Sequence, residues 1–467
     1  MISLLIAWLL GHAAGAPDRA PLDSVVAYVN AELARQRIPG VSVAILRGDS
    51  VLLARGFGFS NLELRVAASD STVYQSGSLG KQFTAAGVAT LAQQGKLRLD
   101  DRITRWLPEG KGVWDSITVR HLLTHTSGVP EYTDSTFNYR KDYTEDQLVR
   151  FAASRRLDFR PGTRWSYSNT GYLLLGVLVH RVTGRFYGDV LHDLIFAPAG
   201  MRTTRIISEA DIIPNRAAGY QLVKGKVQNQ DWVAPSLNTT ADGSLYFTVD
   251  DLIRWAIALN HAQVPTAGVL RAAWSPVRLN NGGLYPYGFG WFLTGQRQHS
   301  RIGHTGSWQG FKTALYRYPE FNLTVIVLAN LAQAEPGSMA EAIAGIVEPA
   351  LQPPHMLREP LPGAKAEPAS QVLLRSIAEK RDAGLVTPGL HGFLSDAARR
   401  DLRQTLDPLT VWTELGCDAV GGQGISWLGS SIDRVCYARA TGSDQPVVFS
   451  LFYSGDGRAA YLDWESY

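Results

Sequence analysis

Apolar residues recur along this chain with two periods. Over residues 21–36, Leu22, Val25, Val26, Val29 and Leu33 share one face at helical spacing, and Ile38-Pro39-Gly40 ends the pattern. Two β-rich runs follow, residues 41–47 and 51–60, joined by Gly48-Asp49-Ser50, which predicts a hairpin. Helical patterns cover residues 83–91, 119–123, 146–154, 170–182 and 250–259. Strand patterns cover 288–294, 312–318 and 323–330, the last two joined at Pro319-Glu320-Phe321-Asn322. Helices between hairpin-linked strands imply an α/β body with an antiparallel sheet.

Six prolines between Glu348 and Ser370 break this pattern, so residues 350–370 read as a stiff linker. Beyond it, helical stretches at 371–380 and 395–406 precede strands at 409–415, 433–441, 447–453 and 459–464. Residues 371–467 therefore read as a small C-terminal α+β domain, its helices-then-strands order resembling the cone-shaped nuclear-transport-factor-like fold. Residues 17–349 form the larger body.

A chain of 467 residues, 45% hydrophobic and 19% charged, can bury more than one core and is too apolar for wholesale disorder. The 45 Lys and Arg nearly balance the 42 Asp and Glu and form no basic block, so no nucleic-acid partner is expected. Apolar residues 2–10, followed by small residues up to Ala14-Gly15-Ala16, resemble a secretory leader with an Ala-x-Ala cleavage site. Residues 1–16 thus read as a signal peptide and the product as secreted or periplasmic, with a retained N-terminal anchor as the other reading. The run is about half the ~20 residues of a spanning helix, so no stable membrane span is expected. Cys417 and Cys436, the only cysteines, suit a disulfide in an exported domain; two buried thiols are the alternative. Neither has a neighbour at ligand spacing, and no metal is expected.

The candidate chemistry starts at Ser78-Leu79-Gly80-Lys81. If Ser78 opens the helix that follows, Lys81 lies one turn on, on the same face. A serine hydroxyl needs a base or a nearby cation to become a nucleophile, and a helix start offers free N–H groups to an oxyanion. About 90 residues on stands Tyr167-Ser168-Asn169, just ahead of an apolar helix, and about 135 further stands His304-Thr305-Gly306 on a Gly-rich strand edge.

This ordered trio resembles the serine β-lactamase and penicillin-binding-protein superfamily, in particular the branch of class C β-lactamases, DD-peptidases, D-aminopeptidases and related esterases. Flanking segments 122–128 and 243–248 carry the same likeness. The resemblance implies a β-lactamase/transpeptidase-like fold over residues 17–349, with a five-stranded type of antiparallel sheet flanked by helices and a mostly helical lobe. It implies a serine hydrolase acting on esters or amides, including D-amino-acid or peptidoglycan-type substrates, through an acyl-serine and without cofactor. A β-lactamase, a DD-carboxypeptidase and a non-catalytic acyl- or penicillin-binding module are the alternatives. The partner is a small-molecule or peptide substrate, and the oligomeric state is left open.

Carried over, the resemblance makes Ser78 the nucleophile, Lys81 its charged partner and Tyr167 the general base. Asn169 would bond Lys81 or substrate, His304, Thr305 and Gly306 would line the site, and the Ser78 and Ser307 N–H groups would form the oxyanion hole. Half-ionising a phenol at pH 7 needs a downward shift of about 3 units, or ~4 kcal/mol. An ammonium roughly 4 Å away at an effective dielectric near 20 offers about that much. The family's β-lactamases have Lys where this chain has His304, which removes a permanent cation for a substrate carboxylate. His125, within His125-Thr126-Ser127-Gly128, reads as part of a structural turn. Trp232, Tyr285, Tyr287 and Trp308 are candidates for the cleft wall, with core packing an equal reading for Trp232 and Tyr285.

Overall fold

The computed structural model describes residues 19–132, 137–297, 299–352, 369–394, 396–419, 426–427, 430–442 and 447–466. Residues 1–16, where a leader is expected, and most of the proline-rich stretch lie outside them. Strand β1 (Gly40–Arg47) is buried along nearly its whole length because helices cover both its faces. Val41, Val43 and Ile45 enter one apolar cluster, and Ala44 and Leu46 enter another on the opposite side. That period of two makes a continuous hydrophobic run serve two cores.

β1 pairs with β2 (Ser50–Asn61), as the hairpin signal predicts, and β2 with the two-residue β3 (Val66–Ala67). On its other edge β1 meets β7 (Leu323–Ala329), followed by β6 (Phe311–Tyr318), β5 (His299–Trp308) and β4 (Phe292–Gln296). The described sheet has seven strands in the order β4-β5-β6-β7-β1-β2-β3, all antiparallel, rather than five. β4 starts later than the pattern over 288–294 predicts, because the chain turns back there and Tyr287 bridges to Phe292.

One face is covered by α1 (Arg19–Gln36) and α5 (Pro336–Val347), whose Val25, Val29, Met339 and Ile343 meet Val325 and Val327. The α5 helix carries no strong sequence signal, its apolar residues being interspersed with Gly, Ser and Ala. The other face carries α2 (Lys81–Gln93) and α4 (Val249–His261), backed in the helical lobe by α3 (Asn169–Thr183). Phe83, Leu174, Leu178 and Trp255 belong to that core. Proline does not exclude order at 349, where Pro349–Leu351 is a 3₁₀ turn that buries Leu351, since proline suits the first turn of a helix.

In the C-terminal part, α6 (Ala369–Ala378) and α7 (Asp396–Leu406) set Leu374, Ile377, Leu402 and Leu406 against Phe449, Leu451 and Leu462. The sheet there is antiparallel, ordered β8 (Leu409–Ala419), β9 (Ser430–Gly442), β10 (Val447–Ser454) and β11 (Ala459–Ser466). Cys417 lies opposite Cys436 across β8 and β9, and a disulfide joins them. Among the described residues no helix is long and apolar enough to cross a membrane.

Candidate active site

The α-helix expected to begin at Ser78 begins at Lys81, and Ser78 sits in a preceding 3₁₀ turn, Gly77–Gly80. Tighter winding brings residues three apart nearly into line, so the Lys81 ammonium donates to Ser78 Oγ at 3.1 Å. The turn is fastened from both sides. Ser76 Oγ donates to the Gly243 carbonyl at 2.7 Å and accepts the Leu245 N–H at 3.1 Å. Thr313 on β6 donates to the Ser76 carbonyl at 2.7 Å.

Gly77 has φ +52°, and a Cβ there would lie 2.4 Å from the Ser307 nitrogen. A Cβ on Gly306 would lie 2.1 Å from the Ser76 carbonyl oxygen. Backbone therefore packs directly on backbone where β5 meets the turn that carries Ser78, which only glycine permits. We expect Gly77→Ala to slow acylation at least about 100-fold, the loss typical of a displaced oxyanion donor. Burst kinetics with p-nitrophenyl acetate check this, and an unchanged burst rate would count against the assignment of the Ser78 and Ser307 N–H groups.

Lys81 is fully buried, and its other hydrogen bonds go to Asn169 Oδ1 at 2.6 Å and the Asp242 carbonyl at 2.5 Å. Burial lowers its pKa to about 8, against the opposing pull of the Asp242 and Glu131 carboxylates. Asn169 opens α3, its N–H donating to Glu131 Oε2 at 2.7 Å. Ser168 caps that helix by accepting from the Gly171 N–H, a contact of the kind worth ~1 kcal/mol.

Tyr167 departs from expectation in its electrostatics. Burial pushes its pKa well above the ordinary phenol value, and the neighbouring Ser78 hydroxyl pulls back only in part. The Lys81 ammonium lies over the ring face, 4.9 Å from its centroid, so the pair is a cation–π contact. The Tyr167 oxygen is shielded from solvent and makes no hydrogen bond of ordinary geometry.

His125, read as structural, supports this tyrosine directly. Its ring packs on that of Tyr167 with centroids 4.3 Å apart, and its Nδ1 accepts the Ser168 N–H at 3.1 Å. Asp242, Glu131 and Tyr132 carry no motif in the sequence, yet the first two set the field at Lys81 and Tyr132 donates to Asp242 Oδ2 at 3.0 Å.

The cleft beside Ser78 is lined by Tyr139, Asn169, Asp242, Ser307 and Trp308. His304 and Thr305 do not line it. His304 is buried, and burial lowers its pKa to about 3, with the Lys81 charge acting the same way and the Thr305 carbonyl opposing. Both residues border a second cavity shared with Tyr285, Arg301 and, from the C-terminal sheet, Tyr461 and Asp463. Trp232 is 55% exposed, and Tyr285 stacks on Trp165 with centroids 4.1 Å apart.

The family model described as Beta-lactamase matches residues 6–348. The chain belongs to this family. Penicillin-binding protein 4* of Bacillus subtilis is 32% identical over 306 residues, covering 62% of this chain and 67% of that protein. A D-aminopeptidase of Gluconobacter oxydans is 28% identical over 342 residues, covering 72% of this chain and 64% of its own. Among solved structures, a D-stereospecific amidohydrolase from Streptomyces sp. matches with TM-score 0.59 and 26% identity over 70% of this chain and 98% of that one. An octameric penicillin-binding protein homologue from Pyrococcus abyssi matches with TM-score 0.63 and 22% identity over 96% of both chains, a likeness of fold. The β-lactamase/transpeptidase-like fold expected from the motifs is therefore the fold of this chain.

Proposed function

We propose that this chain is a serine hydrolase that opens ester or amide bonds through a covalent acyl-Ser78 intermediate, with D-amino-acid or peptidoglycan-type compounds as substrates. The observation that carries the reading is the Lys81 hydrogen bond to Ser78 Oγ beside the unsatisfied Tyr167 hydroxyl. The D-aminopeptidase and amidohydrolase relatives support the substrate class.

The pKa directions support a different pair of proton carriers. With Lys81 near 8, about a tenth of it is a neutral amine at pH 7, while Tyr167 stays a phenol. The amine takes the Ser78 proton as Oγ bonds to the carbonyl carbon, and the Ser78 and Ser307 N–H groups hold the oxyanion. As the carbon–leaving-group bond breaks, Tyr167 gives its proton to the departing oxygen or nitrogen, and the Lys81 ammonium restores it. Water then enters by the reverse sequence, releasing the acid and free Ser78. This scheme makes kcat/KM rise about tenfold per pH unit up to about 8 and then level, following loss of the Lys81 proton. A profile with p-nitrophenyl acetate that keeps rising past pH 10 would instead assign the base to a Tyr167 phenolate.

β-Lactamase or DD-carboxypeptidase activity is the second reading, favoured by the penicillin-binding relative. A panel of esters, D-aminoacyl amides, D-Ala-D-Ala peptides and β-lactams separates the two. Amide or ester turnover leading is the expected result; faster steady turnover of a chromogenic cephalosporin reverses the order. One equivalent of ester consumed without further turnover would mark a non-catalytic acyl-binding module. We further propose export to the periplasm or medium, on the leader-like residues 1–16.

A further inference from the structure

The cleft beside Ser78 has an aromatic wall whose position is set from behind by hydrogen bonds. Trp308 closes β5 and pairs with Phe311 across the tight turn at Gln309-Gly310, which fixes its backbone. Its ring packs against a cluster of Val73, Ile207, Ile213 and Tyr246, and it also lines the cleft. The indole N–H, which can only donate, meets Asn238 at 2.7 Å, so the atom it meets is Oδ1. That choice turns Asn238 Nδ2 toward Glu209 Oε1 at 2.9 Å, and an ionised carboxylate can only accept. Both ends therefore demand the same orientation of the amide. Asn238 is 4% exposed and sits in the 3₁₀ turn Pro235–Thr239. Glu209 is exposed, on the loop that also brings Ile207 and Ile213 behind the indole.

We propose that Trp308 is a specificity-determining residue, held by Asn238 and Glu209 as positioning residues, and that it selects acyl groups bearing a flat aromatic ring over saturated ones of the same size. The proposal rests on the acyl-Ser78 reading. In that reading Tyr167 protonates the leaving group, and Tyr167 is not among the residues that line this cleft, which leaves the cleft to the acyl group. Tyr139 lines it together with Trp308, and beside Ser78 its floor includes Gly77 and Gly243, which carry no side chain. A wall fixed before binding loses little freedom when a ligand meets it. Its aromatic face then favours a second ring through offset or edge contact, which a saturated group cannot supply.

The test compares acylation of the full chain by p-nitrophenyl hydrocinnamate and by its cyclohexyl analogue. The two esters share leaving group and chain length, and p-nitrophenol release is read by stopped flow and the adduct by intact mass. The expected result is a rate ratio of about 3 to 10 in favour of the phenyl ester, the range an aromatic contact supplies. In Trp308→Leu the ratio should fall to about 1. Glu209→Ala removes the acceptor that orients Asn238, which frees its amide to turn donors toward the indole N–H, and the ratio should fall at least about 2-fold. Glu209→Gln keeps a side-chain oxygen that can accept from Nδ2 and should restore the wild-type ratio. A wild-type ratio no greater than unity, or one that Trp308→Leu leaves unchanged, overturns the selection. A ratio indifferent to Glu209→Ala, or lost equally in Glu209→Gln, overturns the positioning role. No adduct from either ester would sink the acyl-Ser78 reading itself, whereas equal acylation by both overturns this inference alone.

Discussion

Ser78→Ala is expected to abolish acyl-enzyme formation, with no mass increment on the intact protein after incubation with an activated ester. Turnover should fall by about 10⁴-fold or more, the scale on which nucleophile removal acts in serine hydrolases. The change removes one oxygen from a half-buried position whose partner is the Lys81 ammonium, so folding should be little affected. The Ser76 and Thr313 hydrogen bonds that fasten the turn do not involve the Ser78 side chain. A retained adduct at full stoichiometry would place the nucleophile elsewhere.

Tyr167→Phe is expected to lower kcat/KM for amides by about 10² to 10⁴, the usual range for a general acid–base group. The loss should be smaller for p-nitrophenyl esters, because their leaving group departs without needing a proton. That contrast distinguishes a proton donor from a base acting on Ser78, which would be missed equally with both substrates. Stability should hold, since the hydroxyl makes no hydrogen bond of ordinary geometry and the ring's contacts with His125 and Lys81 survive. Equal losses on both substrates would return Tyr167 to the base role.

The sequence made some of this arrangement legible and hid the rest for physical reasons. Ser78 and Lys81 are three residues apart, and any helical winding brings such a pair together, so their contact could be read although the helix type could not. Tyr167 and Asn169 were found by an ordered motif, and the N-cap at Ser168 explains why that motif precedes an apolar helix. Asp242 has no signal in the sequence because its peptide carbonyl, which any residue could supply, contacts Lys81, while its carboxylate acts through space. The sign of the Tyr167 shift was also beyond reach. It depends on whether the cation meets the oxygen or the ring face, and on how much protein covers both, which only the assembled tertiary structure determines. The turn at His125 is legible in the sequence, but its φ of +56° and its contact across 43 positions of chain to Ser168 come from long-range packing.

The glycines at 77 and 306 divide what can drift in this chain from what cannot. With no side-chain layer between the turn and the strand, there is nothing at the base of the cleft for mutation to reshape gradually. Tyr139 and Trp308 stand on the rim, where exchanging one side chain for another alters the shape offered to an acyl group without moving that base. New specificities in descendants of this chain should therefore arise by repainting the walls around an unmoving floor.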